Sequence, residues 1–318
     1  MHDISILIMK HSKHGRKHPL LYPKVTTRPN EDPQHSVSPT LGTFERKYRN
    51  LLSLVNVEEQ LEVLSTLTQY YDLPLRCFTF QDFQHAPTLE EYDRLIGMAC
   101  HESPPYLFGG HYPSWATVAR LFKVRKLVVV KLKKNQNGVE GILEVVFEAR
   151  LEQLQKEGDW LTFMDIYGLL VYGIILFPHI ECYVDLATID AFLGKRDKGE
   201  HPVVAVLANT YYTLDYCSRK KGKGLRCCTL LLFLWLTVHL FHSSKKTKCL
   251  VEDHYWSFVK PLTKSEWTAH LDEATERTIY WYPQWNEREE VIIRCGGFPN
   301  IPLMGTQGAI NYNLELAL

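Results

Sequence analysis

The residue types best able to do chemistry fall in three short stretches of this 318-residue chain. Cys227, Cys228, His239 and His242 supply zinc-type donors. Adjacent cysteines lack the two-to-four-residue separation that lets two thiolates grip one ion, and the two histidines sit in a leucine-rich run. His239 is therefore expected to be a hydrogen-bonded core histidine, with no metal and no cofactor. "CHESPP" sets Cys100, His101 and Glu102 side by side. Neighbours in sequence point in different directions, whereas nucleophilic catalysis needs groups that converge, so this reads as a polar surface loop. "GKGLRC" has two glycines of a phosphate cradle but neither the third nor a strand ahead of it. G-x-S-x-G, Walker A, complete G-x-G-x-x-G and H-E-x-x-H motifs are absent. No catalytic residue, and no enzyme, is expected.

Cations give the stronger pattern. In "WATVARLFKVRKLVVVKLKK" (115–134), Val118, Ala119, Phe122, Val124, Val129 and Leu132 fall where a helix-turn-helix keeps its small and apolar residues. Lys126, Lys131, Lys133 and Lys134 would then line the second helix and meet phosphates. Lys123 stands at the turn position that favours glycine, and "LVVV" suits a strand as well as a helix. Base-reading Arg, Asn or Gln residues are few. A second run, "RKKGKGLR" (219–226), brings Arg219, Lys220, Lys221 and Lys223 together. Nuclear import, phosphate binding and a plain solvated loop all fit it.

These residues need a scaffold. Lys+Arg and Asp+Glu are both 36, so any basic surface is local and the molecule is not a polyanion binder as a whole. Eight cysteines without a C-x-x-C pair suggest reduced thiols in an intracellular, non-secreted protein. Residues 1–42 are rich in proline and poor in apolar residues, and no regular structure is expected there. From Thr43 onward, apolar residues recur at three and four positions, predicting two amphipathic helices before a short strand in "RCFTFQDFQ". Thr88 and Glu91 make a capping box for "LEEYDRLIG", with Gly97 as its stop. A further strand is expected in "EEVIIRC".

Two segments are apolar almost all round: 161–177 and 229–241. Fifteen helical residues of "CCTLLLFLWLTVHLF" reach only roughly 22 Å, short of a bilayer core of about 30 Å. Cations at both ends leave no orientation signal. Both segments are expected to be buried helices packed on each other, with Gly168 and Gly173 allowing close approach. The expected class is a mainly α, multi-helix globular domain with a few short strands.

Three stretches carry a family resemblance. "FTFQDFQHAPTLEEYDRLIGM", "YGLLVYGIILFPHIECYVDLATIDAFLG" and "VVAVLANTYYTLDYCSRKKGKGLRCCTLLLFLWLTVHL" resemble, in order and spacing, the signatures of the plant mobile domain, also termed aminotransferase-like. The run through "GGFPNIPLMGTQGAINYNLELAL" is similar to an uncharacterised legume branch carrying a domain of unknown function. The resemblance covers residues 43–295 as the domain, with 296–318 as a C-terminal extension shorter than in relatives. It implies a helical, transposon-associated nuclear protein linked to transposable elements or their silencing. No catalytic residues carry over, and no lysine has the surroundings of a pyridoxal phosphate aldimine. Protein partners are expected, nucleic acid is the alternative, and neither a membrane nor a small-molecule substrate is implied.

Overall fold

The computed structural model describes residues 4–13, 16–25, 41–48, 51–55, 59–98, 103–136, 138–179, 182–220, 224–240, 246–248, 255–257, 262–281 and 300–313. Strands β1 (Ile4–Lys13) and β2 (Arg16–Val25) pair antiparallel, Ile4 opposite Val25, where no regular structure was expected. Pro19 and Pro23 are tolerated because each strand of a two-stranded ribbon keeps an unpaired edge. Helices α1 (Leu41–Tyr48), α2 (Leu51–Val55) and α3 (Leu61–Leu67) replace the two longer helices read from the spacing. They bury the predicted residues Phe44, Tyr48, Leu51, Leu52, Leu64 and Leu67. Strands β3 (Tyr71–Asp72), β4 (Cys77–Thr79) and β5 (Gln84–His85) form a small antiparallel sheet in that order. Helix α4 (Leu89–Ile96) starts on the Thr88–Glu91 capping box and ends at Gly97 with φ 74°, as the sequence predicts.

The middle of the chain runs α5 (Trp115–Leu121), α6 (Lys126–Leu132), β6 (Lys133–Gln136), β7 (Val139–Leu143) and α7 (Glu144–Glu157). Asp159 caps α8 (Trp160–Val171) by accepting the Thr162 amide, and one π-turn follows at Tyr172–Leu176. Strand β8 (Tyr183–Asp185) returns to β7, giving the sheet order β6-β7-β8. Then come α9 (Leu186–Lys198), α10 (Val203–Arg219), α11 (Thr229–Leu240), β9 (Lys246–Lys248), β10 (Tyr255–Ser257) and α12 (Lys264–Asp272). A final hairpin, β11 (Asn300–Met304) with β12 (Ala309–Asn313), lies against α10 and buries Leu303, Ile310 and Tyr312. The strand expected in 289–295 lies outside the described residues.

The expectation of a mainly α domain is corrected. Twelve strands stand beside the twelve α-helices among the described residues, so the architecture is mixed α/β. The strands were missed for a physical reason. They are two to five residues long in the sheets of the domain body, too short for an alternation to show, and one pairing is also remote: Ile142 with Val184. Such strands are made by tertiary pairing, which leaves no periodicity in the local sequence.

Both apolar segments are helical and buried, and among the described residues no helix is long and apolar enough to cross a membrane. Leu230 through Leu236 are enclosed on every side, as a helix without a polar face must be. The two helices do not chiefly pack on each other as expected. α11 lies against α3 and α4, while α8 lies against α7, α1, α5 and α9. The glycines do permit close approach. A Cβ on Gly173 would stand 2.6 Å from a Val184 methyl, and one on Gly168 would enter the Tyr48 ring.

Candidate functional site

The predicted helix-turn-helix is present as a fold element. Ser114 accepts the Thr117 amide to start α5. Val118, Ala119, Phe122 and Val129 are buried as expected. Lys123 adopts φ 49° in the turn, a region that costs a side-chain-bearing residue energy. Its ammonium reaches Asp159 at 2.6 Å, which ties the turn to the start of α8. Leu132 departs from the expectation by being 36% exposed.

Only Val129 anchors α6 fully; Leu127 is 74% and Val128 44% exposed. Lys126 and Lys131 stand exposed on this helix. Lys133 and Lys134 do not line it, because α6 ends at Leu132 and both lie on β6. Lys133 binds Glu140 at 2.8 Å and sits over the Trp115 ring. That hydrogen bond, with one from the Trp115 indole, holds Glu140 below the usual carboxylate range. The surface therefore alternates cations with bare aliphatic side chains, Val139 of β7 included.

The second basic run begins at the end of α10. Arg219 closes that helix, and Lys220 follows with its ammonium over the Tyr216 ring. Lys221 and Lys223 lie outside the described residues. Arg226, at the far end of that run, lines a cavity of about 490 Å³ together with Gly138, Val139 and Glu140 of the β6–β7 hairpin and Tyr212 and Tyr216 of α10; none of the lysines of 115–134 reaches it. His179 and Asp185 also line it. His179 Nε2 lies 2.9 Å from Asp185 Oδ2, while Asp185 Oδ1 accepts the Thr188 amide at 2.7 Å to cap α9. Burial alone would raise this carboxyl; the His179 contact and the Thr188 bonds outweigh it and hold Asp185 below its ordinary range. An ionised aspartate orienting an imidazole is half of a general-base device. The described lining residues include no serine, cysteine or lysine to serve as its nucleophile.

A third constellation is wholly internal. Glu91, at the third position of α4, turns one carboxylate oxygen to the Thr88 amide and hydroxyl, both at 2.9 Å, and to the Trp235 indole N–H at 3.1 Å. Its other oxygen lies 2.9 Å from Nε2 of His239. Nδ1 of His239 lies 2.7 Å from the Tyr280 carbonyl oxygen. The His239 ring thus bridges the Glu91 carboxylate and the Tyr280 carbonyl. Burial would push the Glu91 carboxyl up, but His239, its hydrogen bond, His85 and the Thr88 amide hold it at about 2. His85 stacks on Trp235 at 4.8 Å and meets the His239 ring edge-on at 4.2 Å. Burial, then the charge of His239, lower His85 to about 3. Its Nε2 is buried without a hydrogen-bond partner.

Sequence reasoning read Thr88–Glu91 correctly as a cap and His239 as a core histidine, but assembled neither with His85. Glu91 and His239 are 148 residues apart, and a capping glutamate has no sequence mark of a second partner. The zinc-type set considered from the sequence fares differently. Cys227, Cys228 and His239 are buried, His242 lies outside the described residues, and His239 faces Glu91 and Tyr280. The Cys100–Glu102 stretch is also outside the described residues.

A family model, "Domain of unknown function (DUF7745)", matches residues 34–318. No curated protein and no solved structure matches the chain. The chain belongs to the DUF7745 family.

Proposed function

We propose that this DUF7745 member is a non-catalytic interaction module that docks an acidic, apolar protein segment on α6 and the β6–β7 hairpin. The observation that carries the reading is the exposure of Leu127, Val128 and Leu132 on a seven-residue helix that also presents Lys126 and Lys131. Aliphatic side chains grouped on a surface mark protein contact more than nucleic-acid contact. The lysines around them select the charge of the partner. A nuclear, transposon-associated role accords with the plant mobile domain resemblance and with the basic run at 219–226.

The test is titration of a labelled acidic amphipathic peptide, built from Glu and Leu at helical spacing, into the full chain. Covering Leu127 and Val128 contributes about 2–4 kcal/mol, so Leu127→Ser with Val128→Ser weakens binding by roughly thirtyfold or more. Equal binding by wild type and variant sinks the reading.

Duplex DNA is the second reading, favoured by the succession of α5, turn, α6 and β-hairpin, a helix-turn-helix with an adjoining ribbon. It requires tight binding of random-sequence duplex whose salt slope flattens by roughly 2–3 when Lys131, Lys133 and Lys134 become Ala. Loss through the serine pair without change in that slope favours the protein partner.

A further inference from the structure

We propose that His85, Glu91 and His239 form a binding site for one divalent d-block cation, of which zinc is the type. One donor atom from each lies within 4.8 Å of the others, and two imidazoles with one carboxylate are an established zinc donor set. The arrangement around the donors is that of metal ligands held from behind. His239 is fixed through Nδ1 by the Tyr280 carbonyl, leaving Nε2 as the inward donor. Glu91 is fixed through one oxygen by Thr88 and Trp235, leaving the other facing His239. Outer contacts of this kind set the tautomer and aim of ligating side chains.

The third donor is the telling one. Nε2 of His85 is buried and has no hydrogen-bond partner, an arrangement that stable interiors avoid. Two donors on one tetrahedral zinc stand roughly 3.4 Å apart; His239 Nε2 and Glu91 Oε1 are 2.9 Å apart. Binding opens that gap slightly and draws His85 inward. A slide of the His85 ring in its own plane keeps its stack on Trp235. The cation takes the place of the hydrogen between His239 and Glu91, which leaves to solvent as a proton, and the fourth position is open to water.

The experiment uses the untagged full chain, freed of metal with a chelator and titrated with cobalt(II). The expected result is one equivalent bound, with visible d–d bands and no thiolate-to-cobalt band in the near ultraviolet. His85→Asn, which removes an atom the fold leaves unpartnered, weakens binding by at least about a hundredfold. Changing His2, His11, His14 and His18 to Gln leaves binding intact, and this arm decides the matter if His85→Asn does not fold. No cobalt bound by a folded wild-type chain overturns the proposal. So does a thiolate band, which assigns the ion to cysteines. So does binding unaffected by His85→Asn, or binding lost with the N-terminal histidines.

Discussion

Removing the Glu91 carboxylate is expected to be the most damaging single polar change in the core, and its form matters. Glu91→Ala leaves the Trp235 indole N–H, the Thr88 groups and His239 Nε2 without their partner. Truncating one partner of a buried ion pair costs about 3–5 kcal/mol, and losing the Glu91 half of the capping box, while Thr88 still caps through the residue-91 amide, adds up to about 1 kcal/mol. The expected loss is about 5 kcal/mol, set against typical domain stabilities of roughly 5–15 kcal/mol. Glu91→Gln behaves differently. Its carbonyl oxygen can accept from Thr88 and Trp235 while its NH₂ donates to His239 Nε2. The His239 ring keeps its contact with the Tyr280 carbonyl. Only charge-assisted strength is lost, about 1–2 kcal/mol. Urea unfolding in chelator at neutral pH, with the slope checked for constancy, measures both. A Glu91→Ala loss under 2 kcal/mol, or equal losses for the two variants, refutes the reading of Glu91 as the shared buried partner of Thr88, Trp235 and His239.

Other consequences can be checked in the same assay. A Cβ on Gly141 would run into the Val184 carbonyl oxygen and the Tyr183 ring, so Gly141→Ala costs about 1–3 kcal/mol by prising β7 from β8. Val129→Ala, at the one buried position of α6, costs about 1–2 kcal/mol, whereas Leu127→Ala changes stability by less than about 0.5 kcal/mol; equal effects would deny that α6 is bare on its outer side. Asp185 titrates below its unfolded value, so its contribution is present above about pH 4 and is lost as pH falls through the lower folded value. Asp185→Asn therefore costs about 1–2 kcal/mol near neutrality and flattens the acid limb of the stability–pH curve; an unchanged limb contradicts the assignment.

Legibility in the sequence follows the range of each interaction. The Thr88–Glu91 cap, the stop at Gly97 and the turn between α5 and α6 are three- or four-residue events, readable from spacing. The length of 227–241 excluded a bilayer span on the helix rise alone. What escaped depends on distant pairing: β7 with β8, the remote partners of Glu91, and the meeting of the β6–β7 hairpin with the end of α10 around one cavity. Lys133 and Lys134 were put on a helix because Val128–Val130 suit helix and strand alike. The break after Leu132 goes with the pairing of Lys133 with Ile142 in the β6–β7 hairpin; the Asn-Gly at 137–138 is a local hairpin signal that the helical reading of 115–134 left out.

The three polar side chains in the core raise a question that stability does not answer. Thr237 of α11 turns back to the carbonyls of its own helix, whereas Trp235 and His239, one turn apart, both point to Glu91. Replacing a buried ion pair with well-packed apolar residues is often neutral or stabilising, so a chain built for stability alone gains little from this arrangement. The neighbouring His85 gains its stack on Trp235, but its buried Nε2 has no hydrogen-bond partner, which an apolar ring would not leave. Orientation of α4 on α11 accounts for Glu91, Trp235 and His239, but not for His85. The combined change His85→Leu, Glu91→Met, His239→Leu separates the two roles. If the cluster exists to hold a cation, this variant unfolds in chelator at a urea midpoint equal to or above that of wild type, and it alone gains nothing from added zinc. If the cluster instead specifies how α4 meets α11, the variant loses cooperativity and its unfolding slope falls, with zinc indifferent for both proteins.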